Sequence, residues 1–335
     1  MTSEKILLAH GSGGRLSHDL IRKQLVKTFS NPVLNKLDDS AVFELHGRIA
    51  FTTDSYVVSP IFFPGGDIGK LAVCGTVNDL SMSGAVPMYL ALSLILEEGF
   101  PMTDLETILQ SIEKTSREAG AFIVTGDTKV VNKGCADKIF ITTSGVGIVP
   151  EKTDISSANC KPGDKILLSG TIGDHGIALM SRREGIRFET SLQSDCAPLN
   201  RLVQEMVASS DLVKALRDPT RGGLAATLNE FAENSRVGIR IHEDRIPIHP
   251  EVHAACELMG FDPLYVANEG KLVAVVSAQE AENLIRIMQE NRYGAKSSII
   301  GEVVAEHPGK VVMKTTLGTS RIVDMITGEL LPRIC

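Results

Sequence analysis

Residues 102–127, MTDLETILQSIEKTSREAGAFIVTGD, place a helical pattern directly before a strand pattern. The apolar residues of the first part recur at the spacing of one helix face: Leu105, Ile108, Leu109 and Ile112. Thr103 and Glu106 predict a capping box at the start of this helix, and Gly120 predicts its end. The run AFIVTGD predicts a strand, with Asp127 just past its end. A helix that leads into a strand in this way favours an α/β fold.

Further strand and helix patterns lie on both sides of this segment. Strands are predicted in RIAFTTDS (48–55), KIFITTSGVGIVP (138–150) and SSIIGEVV (297–304), and a strand, glycine turn and helix in DKILLSGTIGDHGIALMSRREG (164–185). A second helix is predicted in AQEAENLIRIMQENRYG (278–294), with Ser277 and Glu280 as its capping box. Since no fixed-period repeat is present, solenoid and propeller folds are not expected.

The chain length of 335 residues suggests two domains. We place their boundary in the connector after Pro150, which is rich in Ser, Asn, Lys and Pro. The expected organisation is an N-terminal domain over residues 1–150, a C-terminal α/β domain over residues 151–318 and a mobile tail over residues 319–335. Glycine and proline in that last segment disfavour regular packing.

Composition excludes several classes of function. Hydrophobic residues make up 43% of the chain and charged residues 22%, which is typical of a globular protein. A net charge of −7 and the lack of a long Lys/Arg run argue against nucleic-acid binding. The longest apolar stretch, YLALSLILEE, is too short for a membrane span. The first residues lack the order of a signal peptide, so a cytoplasmic protein is expected.

Six cysteines are spaced irregularly, without a C-x-x-C pair: Cys74, Cys135, Cys160, Cys196, Cys256 and Cys335. This spacing argues against a zinc site and against a disulfide framework. Cys74 and Cys256 have apolar neighbours and are predicted to be core residues. Cys335 is the last residue of the chain, and two interpretations remain open. It is either an incidental end or a reactive thiol on a movable arm.

Acidic residues recur in predicted turns or at predicted strand ends: Asp38, Asp39, Asp54, Asp79 and Asp127. Taken singly, each one fits a turn or cap residue better than a metal ligand. Taken together, carboxylates that meet at one sheet edge supply the hard oxygen ligands that Mg²⁺ prefers. Mg²⁺ completes its shell with water and phosphate. The set therefore predicts a site for a magnesium nucleotide.

Three glycine-containing turns offer backbone N–H groups to phosphates, although each also fits an ordinary tight turn. They are HGSGG (10–14), GTIGDHG (170–176) and RDPTRGGLA (217–225). His175 and Arg221 lie in two of them, where a phosphate contact is conceivable. Lys129 in GDTKV and Glu269 in ANEGKL are further candidates, and ordinary surface charges are the alternative. The common P-loop motif is not present in the sequence.

Several of these segments occur in an order that resembles a known family. The order is HGSGG, DDSA, TTDS, GTVNDLSMSGA, GDTKV, RDPTRGGLA and ANEGKL, with PRIC at the end. From residue 7 to residue 335 the chain is similar to the HypE family of hydrogenase maturation factors. These are carbamoyl dehydratases of the aminoimidazole-ribonucleotide synthetase (PurM-like) superfamily. The internal motifs indicate the superfamily, and the terminal Pro-Arg-Ile-Cys indicates the member.

The resemblance implies a two-domain PurM-like α/β (α+β) architecture whose N-terminal domain pairs in a homodimer. It implies that a carbamoyltransferase, HypF, loads a carboxamide onto the terminal thiol. ATP with Mg²⁺ then dehydrates this group to a thiocyanate. The thiocyanate supplies a cyanide ligand for nickel–iron hydrogenase through an acceptor complex of HypC and HypD. No nucleic acid and no membrane is implied as a partner.

The resemblance also assigns roles to residues of this sequence. Cys335 carries the substrate group, Lys129 stabilises phosphate charge, and Glu269 accepts a proton from the carboxamide nitrogen. The residues expected to bind ATP are Gly11, Gly13, Gly14, Asp54, Asn78, Asp79, Asp127 and Thr128. The residues expected to bind the metal are Asp38, Asp39, Asp54, Asp79 and Asp127. The segment from Gly11 to Gly14 is expected to close over the nucleotide.

Rival interpretations lead to different expectations. Selenophosphate synthetase would carry a reactive cysteine near its N-terminus, whereas the first cysteine here is Cys74, in an apolar run. Thiamine-phosphate kinase and the purine-pathway cyclase give no reason for a terminal cysteine. A non-catalytic carrier that presents Cys335 to partners would need neither the carboxylates nor Lys129, and it would consume no ATP.

Overall fold

A computed structural model describes residues 5–183, residues 190–325 and Ile334. The elements of the N-terminal half are α1 (Arg15–Leu20), α2 (Lys27–Phe29), β1 (Arg48–Tyr56), β2 (Phe62–Phe63), β3 (Gly66–Asp67), α3 (Ile68–Met82), β4 (Val86–Glu97), α4 (Met102–Ala119), β5 (Phe122–Val131) and β6 (Ile139–Val149). A π-helical segment, Ile21–Val26, joins α1 to α2. The mixed α/β character predicted from the sequence is confirmed.

The N-terminal half is built on a four-stranded sheet with the order β1–β6–β4–β5. Burial alternates along β6, so one face of the sheet is covered and the other is open. Helix α3 packs on the covered face against β1 and β6, and α4 packs on α3. The open face, which we call the outer face, exposes large apolar side chains that include Ile49, Phe51 and Phe122.

The C-terminal half contains β7 (Lys165–Leu168), α5 (Asp174–Met180), α6 (Asn200–Ser209), β8 (Val213–Arg217), α7 (Gly223–Ser235), β9 (Gly238–His242), α8 (Pro250–Met259), β10 (Val273–Val276), α9 (Ala281–Glu290), β11 (Ser298–Val304), β12 (Val311–Lys314) and β13 (Ser320–Val323). Its seven strands have the order β13–β12–β9–β11–β7–β10–β8. Helix α7 covers one face, and α6 and α9 cover the other. This two-layer burial explains the continuously apolar β10, VAVV.

Both predicted helices form, but both predicted capping boxes are wrong. Helix α4 begins two residues earlier than this box predicts, after Pro101, so Thr103 lies inside the first turn and makes no cap. Ser277 precedes a 3₁₀ turn over Ala278–Glu280, and its hydroxyl oxygen also accepts no backbone N–H as a cap, because α9 starts only at Ala281. The end of α4 agrees with the sequence, since Gly120 adopts a left-handed conformation there.

The predicted positions of the aspartates relative to strand ends are also wrong. Asp127 lies inside β5, because pairing with β4 continues as far as Val131. Asp54 lies inside β1, and Asp79 lies in α3. Exposed strand positions tolerate polar side chains, so a polar residue does not end a strand whose backbone remains paired.

The segment predicted to be a tail begins inside the C-terminal sheet. Residues Ser320–Val323 form β13, an edge strand that pairs antiparallel with β12. Most of the later residues lie outside the described part of the chain, including Cys335, the predicted substrate residue. Among the described residues, no helix is long and apolar enough to cross a membrane.

Helices α3 and α4 approach each other at Gly69, which gives a first prediction. A Cβ atom at this position would lie 2.7 Å from the carbonyl oxygen of Ile108 and 2.8 Å from Cγ1 of Ile112. Gly69→Ala therefore forces the helices apart and lowers the free energy of unfolding by about 1–3 kcal/mol. Urea unfolding measures this change. Gln110→Ala, on the exposed side of α4, is the control; equal midpoints for the two variants would contradict the close packing.

Candidate active site

Three carboxylates from different elements form a group that we call the acidic cluster: Asp54, Asp79 and Asp218. Asp54 comes from β1, Asp79 from the last turn of α3, and Asp218 directly follows β8. Thr52 Oγ1 donates to Asp79 Oδ2 at 3.0 Å, which ties α3 to β1. The structure therefore brings together two of the predicted ligands and adds a third from the C-terminal half.

The carboxylates of the acidic cluster repel one another. Loss of hydration raises the pKa of Asp79, although its side chain keeps contact with solvent, and the neighbouring charge of Asp54 adds to the shift. Burial raises the pKa of Asp218 to about 7, and the charge of Asp79 contributes. A cation would relieve this repulsion, so the cluster suits a hard divalent ion.

Asp218 was missed by the sequence analysis. The motif RDPTRGGLA predicted a phosphate contact through its glycines and Arg221. Its aspartate, Asp218, directly follows a strand, which is the position that was expected for the other candidate carboxylates. Arg221 Nη2 lies 3.9 Å from Asp54 Oδ1, and its side chain is 73% exposed. Arg221 is therefore free to contact a phosphate at the edge of the cluster.

The described residues contain no ready-made metal cage. In those parts of the chain, no group of three or more His, Cys, Asp or Glu side chains converges closely enough to hold an ion alone. This agrees with the coordination preference of Mg²⁺, which usually binds one or two carboxylates and takes its other ligands from water and phosphate.

Glu269 lies buried at the inner side of the cluster, with 3% of its surface exposed. Its backbone N–H donates to Asp195 Oδ1 at 3.1 Å, whereas its own Oε1 has no hydrogen-bond partner. Burial raises the pKa of Glu269 well above its ordinary value, and the neighbouring Cys196 and Asp218 contribute. A carboxyl group in this setting is well suited to proton transfer.

Asn78 was expected to bind ATP, but its side-chain amide is hydrogen-bonded to the protein backbone. Its Nδ2 donates to the carbonyl oxygens of Ala197 at 3.1 Å and Glu269 at 3.4 Å. Its Oδ1 accepts from the N–H of Leu199 at 2.8 Å. Asn78 thus ties α3 to the segment that carries Glu269, and its contacts do not support a direct role in nucleotide binding.

A cavity of about 380 Å³ lies between the N-terminal segment and β5. Its polar lining includes Gly11, Gly13, Asp38, Asp127, Thr128 and Lys129, and its apolar lining includes Ile21, Leu25, Phe29 and Leu34. A Cβ atom at Gly11 would lie 2.7 Å from the backbone nitrogen of Val130, so only glycine allows this close approach. Gly13 has a φ of 78°, which also favours glycine. The cavity has an apolar part and a polar rim, as a nucleotide requires.

The predicted carboxylate set is divided between the two faces of the sheet. In the register of the sheet, Asp127 stands in one row with Ser55, Thr142 and Ser93 on the outer face. Asp54 occupies the next row and points to the opposite face. Lys129 Nζ pairs with Asp127 Oδ2 at 3.0 Å. Asp127 and Lys129 therefore belong to the cavity and not to the acidic cluster of the same chain.

The two remaining predicted residues lie near the cavity but do not line it. Asp39 is exposed in a bend, and Gly14 immediately precedes α1 as its N-cap. The cavity is bordered by Asp38, the neighbour of Asp39, and by Gly13, the neighbour of Gly14.

His175 does not lie where it can meet a phosphate. The ring is fully buried, its Nδ1 is 2.8 Å from Ser194 Oγ, and its Nε2 is 2.7 Å from the carbonyl oxygen of Ile334. Burial lowers the pKa of His175. The histidine therefore contacts the residue that directly precedes Cys335, a contact across 159 positions of sequence that no local pattern indicates.

Comparison with known proteins gives a consistent result. Models of the AIR synthase related proteins match residues 37–149 (N-terminal domain) and 161–314 (C-terminal domain). The chain is 53% identical over 333 residues to carbamoyl dehydratase HypE of Rhizobium leguminosarum bv. viciae, covering 99% of this chain and 95% of the relative. A crystal structure of HypE in complex with ATP matches with a TM-score of 0.94 and 48% identity, over 98% of this chain and 99% of the other. A structure of a HypE–HypF complex matches with a TM-score of 0.81 and 50% identity, over 92% and 99% of the two chains.

The charge repulsion in the acidic cluster gives a second prediction. The pKa of Asp218 is raised from 3.8 to about 7, so the folded protein holds a proton that the unfolded chain releases within this interval. The free energy of unfolding therefore falls as pH rises through it and stays low above it. Asp218→Asn removes this cost and stabilises the protein by about 1–2 kcal/mol at about pH 8, a value reduced for solvent screening.

Thermal unfolding in the presence of a chelator measures this effect, with the exposed Asp211→Asn as the control. The advantage of Asp218→Asn over the unmodified chain should shrink as pH is lowered toward about 4. An advantage that stays constant across this range would contradict the assignment.

Proposed function

The chain belongs to the HypE family of carbamoyl dehydratases, within the AIR synthase related proteins, and on that premise we propose that its own C-terminal cysteine is the substrate. In the proposed reaction a carboxamide on the Cys335 sulfur is dehydrated to a thiocyanate at the expense of ATP. The thiocyanate is the source of a cyanide ligand for nickel–iron hydrogenase.

One observation carries the choice of substrate residue. Ile334, the direct neighbour of Cys335, has only 6% of its surface exposed, and its carbonyl oxygen accepts a hydrogen bond at 2.7 Å from His175. His175 in turn bonds Ser194, and the next residue, Asp195, holds the backbone of Glu269. The end of the chain is thereby attached to the segment that positions the buried Glu269 carboxyl.

The residues fit the steps of such a dehydration. Transfer of the γ-phosphoryl group to the carboxamide oxygen makes that oxygen a leaving group, with ADP as the first product. The C–O bond then breaks, phosphate departs, and the nitrogen loses its two protons as the C≡N bond forms, one to Glu269 and the other to the departing phosphate. Glu269 is the acceptor of an N–H proton, because its raised pKa makes it a stronger base than an ordinary carboxylate. Lys129 at the cavity and Arg221 at the acidic cluster are the cations that we propose to neutralise phosphate charge.

Mg²⁺ is the cation that the acidic cluster fits. One or two carboxylates among Asp54, Asp79 and Asp218 would ligate it together with water and phosphate oxygens, and it would neutralise phosphate charge during transfer. The pKa of Asp79 is raised in part by the charge of Asp54, and the pKa of Asp218 in part by the charges of Asp79 and Asp54, which supports this assignment. ATP itself is bound by a relative 48% identical to this chain, and the N-terminal cavity with Gly11, Gly13 and Thr128 is the proposed nucleotide site.

A homodimer is proposed through the outer face of the N-terminal sheet. Phe51 is 70% exposed there, Phe122 57% and Ile49 54%, an apolar surface of the kind that monomers rarely leave uncovered. Asp127 and Lys129 lie on the same face, so a second copy bound there adjoins the nucleotide cavity.

Two partners are proposed from the chemistry of the tail. HypF forms a complex with a HypE that is 50% identical to this chain, and we assign to it the loading of Cys335. A HypC–HypD complex is proposed as the acceptor of the cyanide. From β13, which ends at Val323, about a dozen residues lead to Cys335 and span up to ~40 Å when extended. The five described cysteines are free thiols, which suits the reducing cytosol.

Mass spectrometry of single peptides tests the proposed reaction. Cyanate carbamoylates accessible thiols, and the protein is then incubated with or without Mg-ATP. The Cys335 peptide is expected to lose the mass of one water only when ATP is present. Cys135, which is exposed, should keep its carboxamide under both conditions and serves as the control within the same chain.

Variants separate the proposed roles in this experiment. Glu269→Gln removes the proton acceptor and is expected to slow dehydration by about 100-fold or more. Asp79→Asn should abolish the ATP-dependent mass loss while the protein remains folded. A Cys335 carboxamide that survives in folded, ATP-bound protein would overturn the proposed function and leave the carrier interpretation.

The dimer proposal gives a further prediction. Phe51→Glu places a charge in the apolar outer face and is expected to halve the mass measured by light scattering after size exclusion. Leu258→Glu is the matched control, because Leu258 is 78% exposed on α8, away from this sheet. An unchanged mass for Phe51→Glu would rule out this face as the interface.

A further inference from the structure

Both residues of the contact between His175 and Ile334 are buried. The Ile334 side chain joins the hydrophobic cluster of the N-terminal half, together with residues of α3, α4 and α5. The His175 ring is fully buried, with the ring of Phe63 edge-on at a centroid distance of 5.5 Å. A penultimate residue at a frayed chain end would not be buried against such a prepared partner.

The hydrogen bonds around His175 fix its tautomer. The Ile334 carbonyl oxygen can only accept, so Nε2 of His175 carries the ring proton and donates it to that oxygen. Nδ1 of the neutral ring is then an acceptor and receives the hydroxyl proton of Ser194, whose Oγ also accepts the backbone N–H of Cys196 at 3.1 Å. Burial lowers the pKa of His175, which keeps the ring neutral. Ser194 is itself held by a bond from its N–H to the Pro64 carbonyl oxygen at 2.8 Å.

The short segment that contains Ser194 and Asp195 contacts both the His175 ring and Glu269, the proposed base. Ser194 orients His175, while Asp195 accepts the N–H of Glu269 at 3.1 Å and pairs with Lys271 at 3.2 Å. The side chain of Asp195 is 2% exposed, so its contacts with Glu269 and Lys271 are shielded from solvent. The contact site of Ile334 on His175, which we call the seat of the tail, and the position of Glu269 are therefore set by two adjacent residues of one short segment.

We propose that His175 is a positioning residue, whose Nε2–H bond to the Ile334 carbonyl holds the C-terminal tail at the segment that positions Glu269. The catalytic purpose of this docking rests on the proposed function. The docking of the tail on His175 can be tested without the reaction. Both ring nitrogens of His175 are taken up by Ser194 and Ile334, so no direct contact with ATP or the carboxamide is assigned to the ring. It acts only through the backbone of the tail.

Alkylation kinetics test the seat directly. The folded full chain is treated with iodoacetamide in the absence of ATP, and the modification of Cys335 is followed by peptide mass spectrometry. Cys335 is expected to react more slowly than the exposed Cys135 in the unmodified protein. His175→Leu, which keeps a large apolar side chain but loses the donor, should raise the Cys335 rate about 5- to 10-fold, as expected for loss of one hydrogen bond.

Conservative variants separate positioning from a merely structural role. His175→Gln keeps an N–H donor and is expected to restore slow alkylation of Cys335. Ser194→Ala lets the ring proton move to Nδ1 and should raise the rate by a smaller factor. The Cys135 rate should be the same in all variants, and it also serves as the control for global unfolding.

Clear outcomes would overturn the proposal. These are equal rates for Cys335 and Cys135 in the unmodified protein, or an unchanged Cys335 rate in folded His175→Leu. If His175→Leu does not fold, Ser194→Ala decides, and an unchanged Cys335 rate in that variant overturns the proposal. Because alkylation requires no ATP, protection of Cys335 without any dehydration would defeat the proposed function alone. Dehydration without protection would defeat the positioning role alone.

Discussion

Helix α3 is enclosed by protein along almost its whole length, and the groups of the candidate site take their places from it. Thr76 joins Thr143 of β6 through a hydrogen bond of 2.5 Å, which fixes the helix on the sheet. Two residues later, Asn78 holds the backbone at Ala197 and Glu269. Asp79, the next residue, points out beside Asp54. A shift of this helix would therefore displace the carboxylates and the buried glutamate together.

The enclosure of Glu269 also suits the chemistry. An activated phosphorylated intermediate is easily lost to water, so a site that removes water from an amide must first exclude bulk water. Glu269 is buried and lacks a partner for Oε1, and an incoming N–H group can take up that bond without displacing another. The charged residues Asp79 and Arg221 remain open to solvent on the other side.

Sequence patterns predicted the elements well and their spatial relations poorly. The helix with Leu105, Ile108 and Ile112 was predictable, since its period and its terminal glycine are local features. The separation of Asp127 from Asp54 was not, because it depends on sheet register and on a one-residue change of face. Asp218 and His175 were undervalued for a related reason. Their partners Asp79 and Ile334 lie far away in sequence, and only the packing of the two halves brings them together.

The edge strand β13 has a consequence for the energetics of catalysis. It fixes the tail at Val323, so the terminus is tethered by about a dozen residues and has an effective concentration in the millimolar range. At this concentration a segment with a dissociation constant of about 10 μM is docked almost all of the time, although the same segment would bind only weakly as a separate peptide. One hydrogen bond then changes the ratio of docked to free tail by about fivefold. The enzyme thus needs no tight binding of its own substrate.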